Sequence, residues 1–270
     1  MKTDTENNNK VIQYFIETSI VGGLAEVPLH PFLTIWTIQQ ANAEKNLSMK
    51  QAIRKIYPLK NYYIGFSATC ATALFGTIAY DVTKHAITQY TDNSLLHGFA
   101  AYTAGAVFWE PGERVAILAQ AKWAKGGQCI SSRAIAADIL KHDGMRGFYR
   151  GSAFGYISNG FLNGVAFFLQ DLLKKRYGDD MQQNKKVFVM AGLAGFSLAG
   201  LLVTPAEILG TRIRIKKTNF KREIKNIYHT QGMRGFFRGG VTSVLHSAAF
   251  SAVSWGPDLV SACFHPKPVA

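Results

Sequence analysis

HDGMRGFYRG (residues 142–151) and TQGMRGFFRG (residues 230–239) are near-copies of one decapeptide, and their final glycines, Gly151 and Gly239, stand 88 residues apart. That separation marks an array of similar units, and 270 residues hold three of them. The flanking sequence extends the match. Upstream of each copy lies a basic amphipathic stretch, SSRAIAADILK (131–141) and FKREIKNIYH (220–229). Ile135, Ile139 and Leu140 in the first, and Ile224 and Ile227 in the second, recur at helical spacing and predict short surface helices. Further upstream, EPGERVAILAQ (110–120) and TPAEILGTRIR (204–214) each carry Pro-x-Glu. Glycine follows proline by 40 residues in one unit (Pro111 to Gly151) and by 34 in the other (Pro205 to Gly239). The first third keeps an eroded form of the same plan. HPFLTIWTIQQ (30–40) has Pro31, then Thr37 matched by Thr211, and Gln40 matched by Gln120. MKQAIRKIY (49–57) stands for the amphipathic helix and NYYIG (61–65) for the aromatic-Arg-Gly ending. The units therefore run 1–94, 95–182 and 183–270.

Each unit also contains two long apolar-rich segments, at 11–40, 62–88, 95–122, 152–175, 187–216 and 241–263. Each is long enough to cross a hydrocarbon core of about 30 Å. Polar residues recur along one side of each, which suits helices around a watery cavity or a soluble bundle. Charge separates these options. The loops 45–60, 122–150 and 216–238 hold 18 of the 30 Lys and Arg, with only Asp138, Asp143 and Glu223 as acids. In a six-span protein those loops share one face, as the positive-inside rule requires. Small residues at four-residue spacing, Ala101/Gly105, Gly151/Gly155, Gly160/Gly164 and Ala191/Gly195/Ala199, allow close helix packing in lipid. The predicted fold is an all-α membrane protein with six transmembrane helices in three pseudo-repeats and short surface helices on the basic face.

The net charge of +13 points to a negatively charged partner. Nucleic acid is disfavoured, because no helix-turn-helix spacing, zinc motif or aromatic RNA-binding signature is present. Cys70, Cys129 and Cys263 have no motif spacing, which argues against a disulfide framework or a metal site. No P-loop or nucleophile motif suggests an enzyme. HDG at 142–144 resembles a metal or hydrolase fragment, but the aligned TQG at 230–232 assigns it to the repeat. MKTDTENNNK (1–10) is neither a secretory signal nor an Arg-rich transit peptide, so any targeting signal is expected inside the chain.

Three units, each with a proline inside a long helix, a basic amphipathic helix and an aromatic-basic-glycine helix start, resemble the mitochondrial carrier family. The family repeat reads Pro-x-acidic-x-x-basic-x-basic, then an acidic-Gly stretch ending aromatic-basic-Gly. The resemblance covers nearly the whole chain and is strongest in the third unit. It implies a monomeric, multi-pass protein of the mitochondrial inner membrane, with the basic loops on the matrix side, that moves a small solute by alternating access without cofactor or metal. It implies kinks at Pro31, Pro111 and Pro205. It also implies that Arg150/Gly151 and Arg238/Gly239 open the fourth and sixth spans. Free backbone N–H groups and the positive helix end attract phosphate at such starts, so these residues would bind cardiolipin. The basic balance favours an anion, a nucleotide such as ATP or ADP, drawn in by Arg212, Arg214 and Lys122. Lys216 and Lys217 read as interfacial snorkelling. The RRRMMM run of adenine-nucleotide exchangers is replaced by TRIRIK (211–216).

The departures from the family pattern bear on gating. Family members close the matrix side by pairing the acid two after proline with a base five after it. Glu113 and Glu207 supply acids here, but Trp36, Ala116 and Gly210 stand at the basic positions, and the first acid is Leu33, or His30 if Pro28 is the reference. A matrix ionic network of the family type is therefore not expected. On the opposite face YDVTK (80–84) and QDLLK (170–174) predict a gate pair Asp81–Lys174 and a second, Lys84–Asp258. Substrate contacts, carried over seven residues after each helix-start glycine, fall on Thr72, Ser158 (with Asn159) and His246. Glu26 and Glu110, inside spanning segments, require water or a partner. The eroded first unit also motivates an alternative: a degenerate carrier fold acting as a membrane receptor, scaffold or insertion factor. The Asn-rich start and divergent motifs resemble carriers that intracellular bacteria deliver into host mitochondria, in which case the tail CFHPKPVA (263–270) would contribute to export.

Overall fold

The computed structural model describes residues 20, 24, 26–43, 47–126, 129–177 and 185–249, with backbone alone over 185–199 and at 166–167, 170–171, 173–174 and 177. Every regular element among the described residues is helical. Helix α1 covers 26–41. It is followed by α2 (Met49–Ile56), α3 (Phe66–Ile87), α4 (Ser94–Gly126), α5 (Ser132–Asp143), α6 (Ser152–Tyr177), α7 (Lys185–Lys216) and α8 (Phe220–Gln231). Helix α9 covers 240–249.

One local succession occurs three times, and its causes are legible in the side chains. Each short helix begins at a capping residue that accepts a backbone N–H left free by the first turn. Ser48 accepts from Gln51 at 3.3 Å, Ser131 from Ala134 at 3.2 Å and Asn219 from Arg222 at 2.9 Å. Gln51 returns the bond to the Ser48 backbone, completing a capping box at α2. A 3-10 turn follows each short helix, at Leu59–Tyr63, Met145–Tyr149 and Met233–Phe237. The chain then passes through a glycine with positive φ, Gly65 (+85°), Gly151 (+82°) or Gly239 (+83°), and enters the next long helix. These backbone conformations, which a side chain would strain, account for the glycines at the ends of the repeated decapeptide.

Helices α1, α3, α4, α6, α7 and α9 are joined in chain order into a ring. His30 on α1 donates to the Ile64 carbonyl just before α3 at 2.9 Å. Trp109 on α4 donates to Ala73 on α3 at 3.3 Å, and a Cβ at Gly76 would fall 2.0 Å from that indole, so glycine admits the tryptophan. Tyr156 on α6 donates to Ala106 on α4 at 3.5 Å. On the next seam the backbone of Gly151, just before α6, approaches that of Gly210 on α7 closely. Ser243 on α9 donates to Gly200 on α7 at 3.3 Å, and Thr242 closes the ring by donating to Gln39 on α1 at 2.8 Å.

Apolar packing concentrates at the end that carries the basic loops. Ile35 and Ile38 of α1, Ala52 and Ile56 of α2, Val115 and Trp123 of α4, and Ile135 and Ile139 of α5 form one cluster. Trp36, Ile208, Leu209 and Ile227 form a second, between α1, α7 and α8. Away from that end large apolar side chains are exposed, among them Phe75, Ile78 and Val82 on α3, Phe99 and Phe108 on α4, and Ile157 and Phe161 on α6. A surface of that kind matches hydrocarbon better than water. By length and composition alone, one described helical stretch, Leu59–Ile87, is apolar enough to cross a membrane.

Candidate functional site

The basic-loop end of the ring is shut by three differently built seams. Between α4 and α7 the seam is ionic. Arg214, 5% exposed, bridges Glu110 and Glu113, its contact to Glu113 being 3.1 Å long. Glu110 also accepts from Ser152 of α6 at 2.6 Å. Arg114, fully buried, donates to the Arg214 carbonyl, which ties the two helices a second time. Between α1 and α4 the seam is neutral. Gln120, fully buried, donates to Thr34 and to the Ile64 carbonyl, both at 3.0 Å, and Thr34 donates to Tyr62 at 2.6 Å. Between α1 and α7, Trp36 donates to Thr211 at 3.3 Å and Arg212 to Gln40 at 3.1 Å.

The family's acid–base pairing is thus replaced rather than lost. Gly210 stands at the expected basic position of α7, and Arg214 lies four residues on, one turn further along the same face. It serves the α4 acid Glu113 and also Glu110. Glu207, the α7 acid, accepts instead from Ser243 of α9 at 3.0 Å. A buried pair gains stability only when its remaining lone pairs are hydrogen-bonded, and Ser152 and Ser243 meet part of that need.

Arg212 and Arg214 do not stand open to an entering anion: both are buried and committed to other side chains. Arg212 contacts Gln40, Gln231 at 3.0 Å and the buried Glu223 at 3.9 Å. Lys122 pairs with Asp138 at 3.2 Å, Lys216 with Glu223 at 3.2 Å, and Lys217 with Asp143 at 2.7 Å, so the two lysines at the end of α7 are loop ties rather than free snorkelling chains. A hydrogen bond from Lys122 holds the Asp138 carboxyl below its ordinary range, and one from Lys217 does the same for Asp143.

The four residues expected to contact substrate lie on three helices. Thr72 packs against Gly112 of α4, where a Cβ would meet its Oγ1 at 2.0 Å, and donates to Ala68 at 3.0 Å. Ser158 is buried and donates to Phe154 at 2.6 Å. Asn159 is half-buried on α6, and its backbone carbonyl accepts from Asn163 at 2.9 Å. His246 is half-buried on α9. No hydrogen bond joins any two of these four. Pro31, Pro111 and Pro205 lie inside α1, α4 and α7, where each removes one backbone donor. The expected gate of the opposite face falls beyond view, since the side chains of Asp171 and Lys174 and all of Asp258 lie outside the described residues.

The helix-start arginines have defined partners. Arg150 donates to the Lys217 carbonyl at 3.1 Å, and Arg238 donates to the Ala43 carbonyl. Each therefore serves the C-terminal end of a neighbouring odd-numbered helix, where carbonyls are left over. Ile64 stands at the corresponding place in the first unit, and there Lys55 of α2 takes the role, donating to Ala124 at the end of α4 at 2.9 Å. Beside Gly239 a groove of about 540 Å³ opens between the starts of α9 and α2, lined by Arg234, Arg238, Gly239, Gly240, Ser48 and Met49 among others. At the matching place between α6 and α8, Phe154 and Phe220 stack with ring centroids 4.8 Å apart.

A family described as mitochondrial carrier protein matches residues 90–181 and 183–260, more than half of the chain. A protein of Plasmodium falciparum named as a mitoferrin is 40% identical over 74 residues, 26% of this chain and 6% of that protein. The calcium-dependent mitochondrial ATP-magnesium/phosphate carrier protein 3 of Arabidopsis thaliana is 25% identical over 137 residues, 48% of this chain and 29% of that protein. The mitochondrial basic amino acids transporter of Rattus norvegicus is 25% identical over 157 residues, 56% of this chain and 50% of that protein. The chain thus spans half or less of the length of these relatives. With two consecutive family matches running through a ring of helices shut at its basic end, the chain belongs to the mitochondrial carrier family.

Proposed function

We propose that this chain is a solute carrier working by alternating access, with α1, α3, α4, α6, α7 and α9 as six spans in three repeats and the seams described above as its matrix-side gate. Members of the family are multi-pass proteins of the mitochondrial inner membrane, and they are transporters rather than enzymes. The observation that carries the reading is the bridge of Arg214 to Glu110 and Glu113, a buried ionic contact between two helices of different units at the end where the ring is shut. Opening the ring at this end requires α4 and α7 to part, and parting them must break these contacts, which is what a gate does. Accessibility at Thr211 tests it. In a background with Cys70, Cys129 and Cys263 replaced by serine, Thr211→Cys should resist an impermeant maleimide from the basic face. It should become reactive when solute drives the gate open.

For the solute, a small anion such as ATP or ADP is supported by the basic loop face and by the ATP-magnesium/phosphate carrier among the relatives. A cationic solute is the second reading, and the interior favours it. Glu113 lies within electrostatic reach of Glu26, Glu110 and Glu207, and Arg214 is the cation that pairs with two of these four acids, Glu110 and Glu113. Two relatives carry names that fit a cation, the mitoferrin and the basic amino acids transporter. Lipid binding is proposed at the helix starts marked by Gly151 and Gly239. The groove beside Gly239 is the more open of the two, with two helix N-termini and two arginines converging on it, which suits the two phosphates of cardiolipin.

A further inference from the structure

We infer that Arg214 is a built-in competitor of the transported solute: its guanidinium occupies the carboxylates of Glu110 and Glu113, and a solute bearing a guanidinium or primary ammonium group displaces it to release the α4–α7 seam. The inference rests on the carrier reading above and names the solute class for it. Three observations support it. First, a guanidinium already sits between the two carboxylates, so the site is shown to hold that chemical group in that orientation. Second, the two acids differ in access. The Glu113 side chain is 42% exposed whereas Glu110 is 3% exposed, so an entering cation meets Glu113 before Glu110 is uncovered. Third, Arg214 is incompletely satisfied. Its Nε is buried with no hydrogen-bond partner among the described residues, whereas a solute guanidinium approaching from the cavity side could keep its other N–H groups in water.

Displacement by like chemistry makes opening conditional on occupancy. An empty carrier keeps the pair Arg214–Glu113 and stays shut at the basic end. A cation that engages Glu113 exchanges one ion pair for another there, and Arg214 keeps Glu110 as its partner until the helices part, so neither buried charge is left bare at that stage. An anion of nucleotide type would have to approach four carboxylates to reach the same seam, against Coulomb repulsion that a low-dielectric wall strengthens. Positive charge is therefore the attribute the site selects, and a planar fork is the shape it fits.

Two experiments on the full chain test this. In Arg214→Ala the vacated carboxylates should bind free guanidinium, so millimolar guanidinium chloride should raise the melting temperature of the variant and leave wild type unchanged, with sodium chloride as the ionic control. In proteoliposomes, Glu113→Gln should raise the half-saturation concentration for labelled L-arginine uptake by about tenfold, the worth of one modest charged contact. The variant should still melt close to wild type. Equal response of wild type and Arg214→Ala to guanidinium would overturn the assignment, as would arginine uptake indifferent to Glu113→Gln. Should Arg214→Ala fail to fold, the Glu113→Gln comparison decides alone. Uptake of ATP but not arginine by folded wild type would overturn the cationic solute class and leave the carrier reading standing, whereas rescue by guanidinium with uptake of neither solute would overturn the carrier reading and leave the carboxylate site standing.

Discussion

Replacing Arg214 by glutamine gives a sharply graded expectation, because its two carboxylate partners sit at different depths. Glu110 is 3% exposed, and its other described hydrogen-bond partner is Ser152 at 2.6 Å. Without the guanidinium its charge is stranded, and breaking a buried pair in this way costs about 3–5 kcal/mol. Glu113 is 42% exposed and returns to water, so its contact with Arg214 contributes only about 0–1 kcal/mol. Arg214→Gln should therefore be destabilising by roughly 3–5 kcal/mol, and Glu113→Gln by roughly 0–1 kcal/mol. The double variant Arg214→Gln/Glu110→Gln should recover most of the loss, because it removes the stranded charge as well. Thermal unfolding of detergent-purified protein, followed by tryptophan fluorescence, gives the ranking. Equal melting of the two single variants, or a further drop on adding Glu110→Gln, would show that the buried ion pair does not hold this seam.

Three further outcomes follow from the same geometry. Gly239→Ala forces a side chain into φ of +83° and brings a Cβ within 3.0 Å of the Trp36 ring, so it should lower stability by about 1–2 kcal/mol through backbone conformation alone, read as a fall in melting temperature. Gln120→Leu strips a fully buried donor from Thr34 and the Ile64 carbonyl and should cost about 1–3 kcal/mol, with faster maleimide labelling of a cysteine placed at Thr37 from the basic face. Asp143 supplies a pH signature. Its carboxyl is held low by Lys217, so its contribution is present above the ordinary carboxylate pKa and fades as pH falls through the depressed value. Asp143→Asn should be less stable than wild type at neutral pH, and the difference should begin to shrink only below about pH 4 and vanish in stronger acid.

Much of the fold could be read from the sequence because its causes are local. The spacing of Ile135 and Ile139 and the glycines of GMRGF-aromatic-Arg-Gly each act within a few residues. The gate was less legible, because its partners are about a hundred residues apart and are chosen by helix rotation. Glu110 and Arg214 are separated by 104 positions. Counting five residues from each proline found Ala116 and Gly210 and no base, while the base actually used stood one turn beyond Gly210. Helical periodicity applied at that one position could have revealed it. The partners of Arg150 and Arg238 were hidden for a similar reason: their acceptors are backbone carbonyls, which leave no mark in a sequence. Lys55 shows the same substitution at a distance, covering the end of α4 where Ile64 cannot.

The measurement that tests the central claim most directly is uptake of labelled solutes, L-arginine and ATP in parallel, into cardiolipin-containing liposomes holding the purified chain, both empty and preloaded with the same solute. Alternating access across a gate closed by Arg214 predicts saturable uptake, with arginine favoured over ATP and Arg214→Gln altering the rate. Folded, correctly inserted protein that takes up neither solute under either condition would contradict the carrier account.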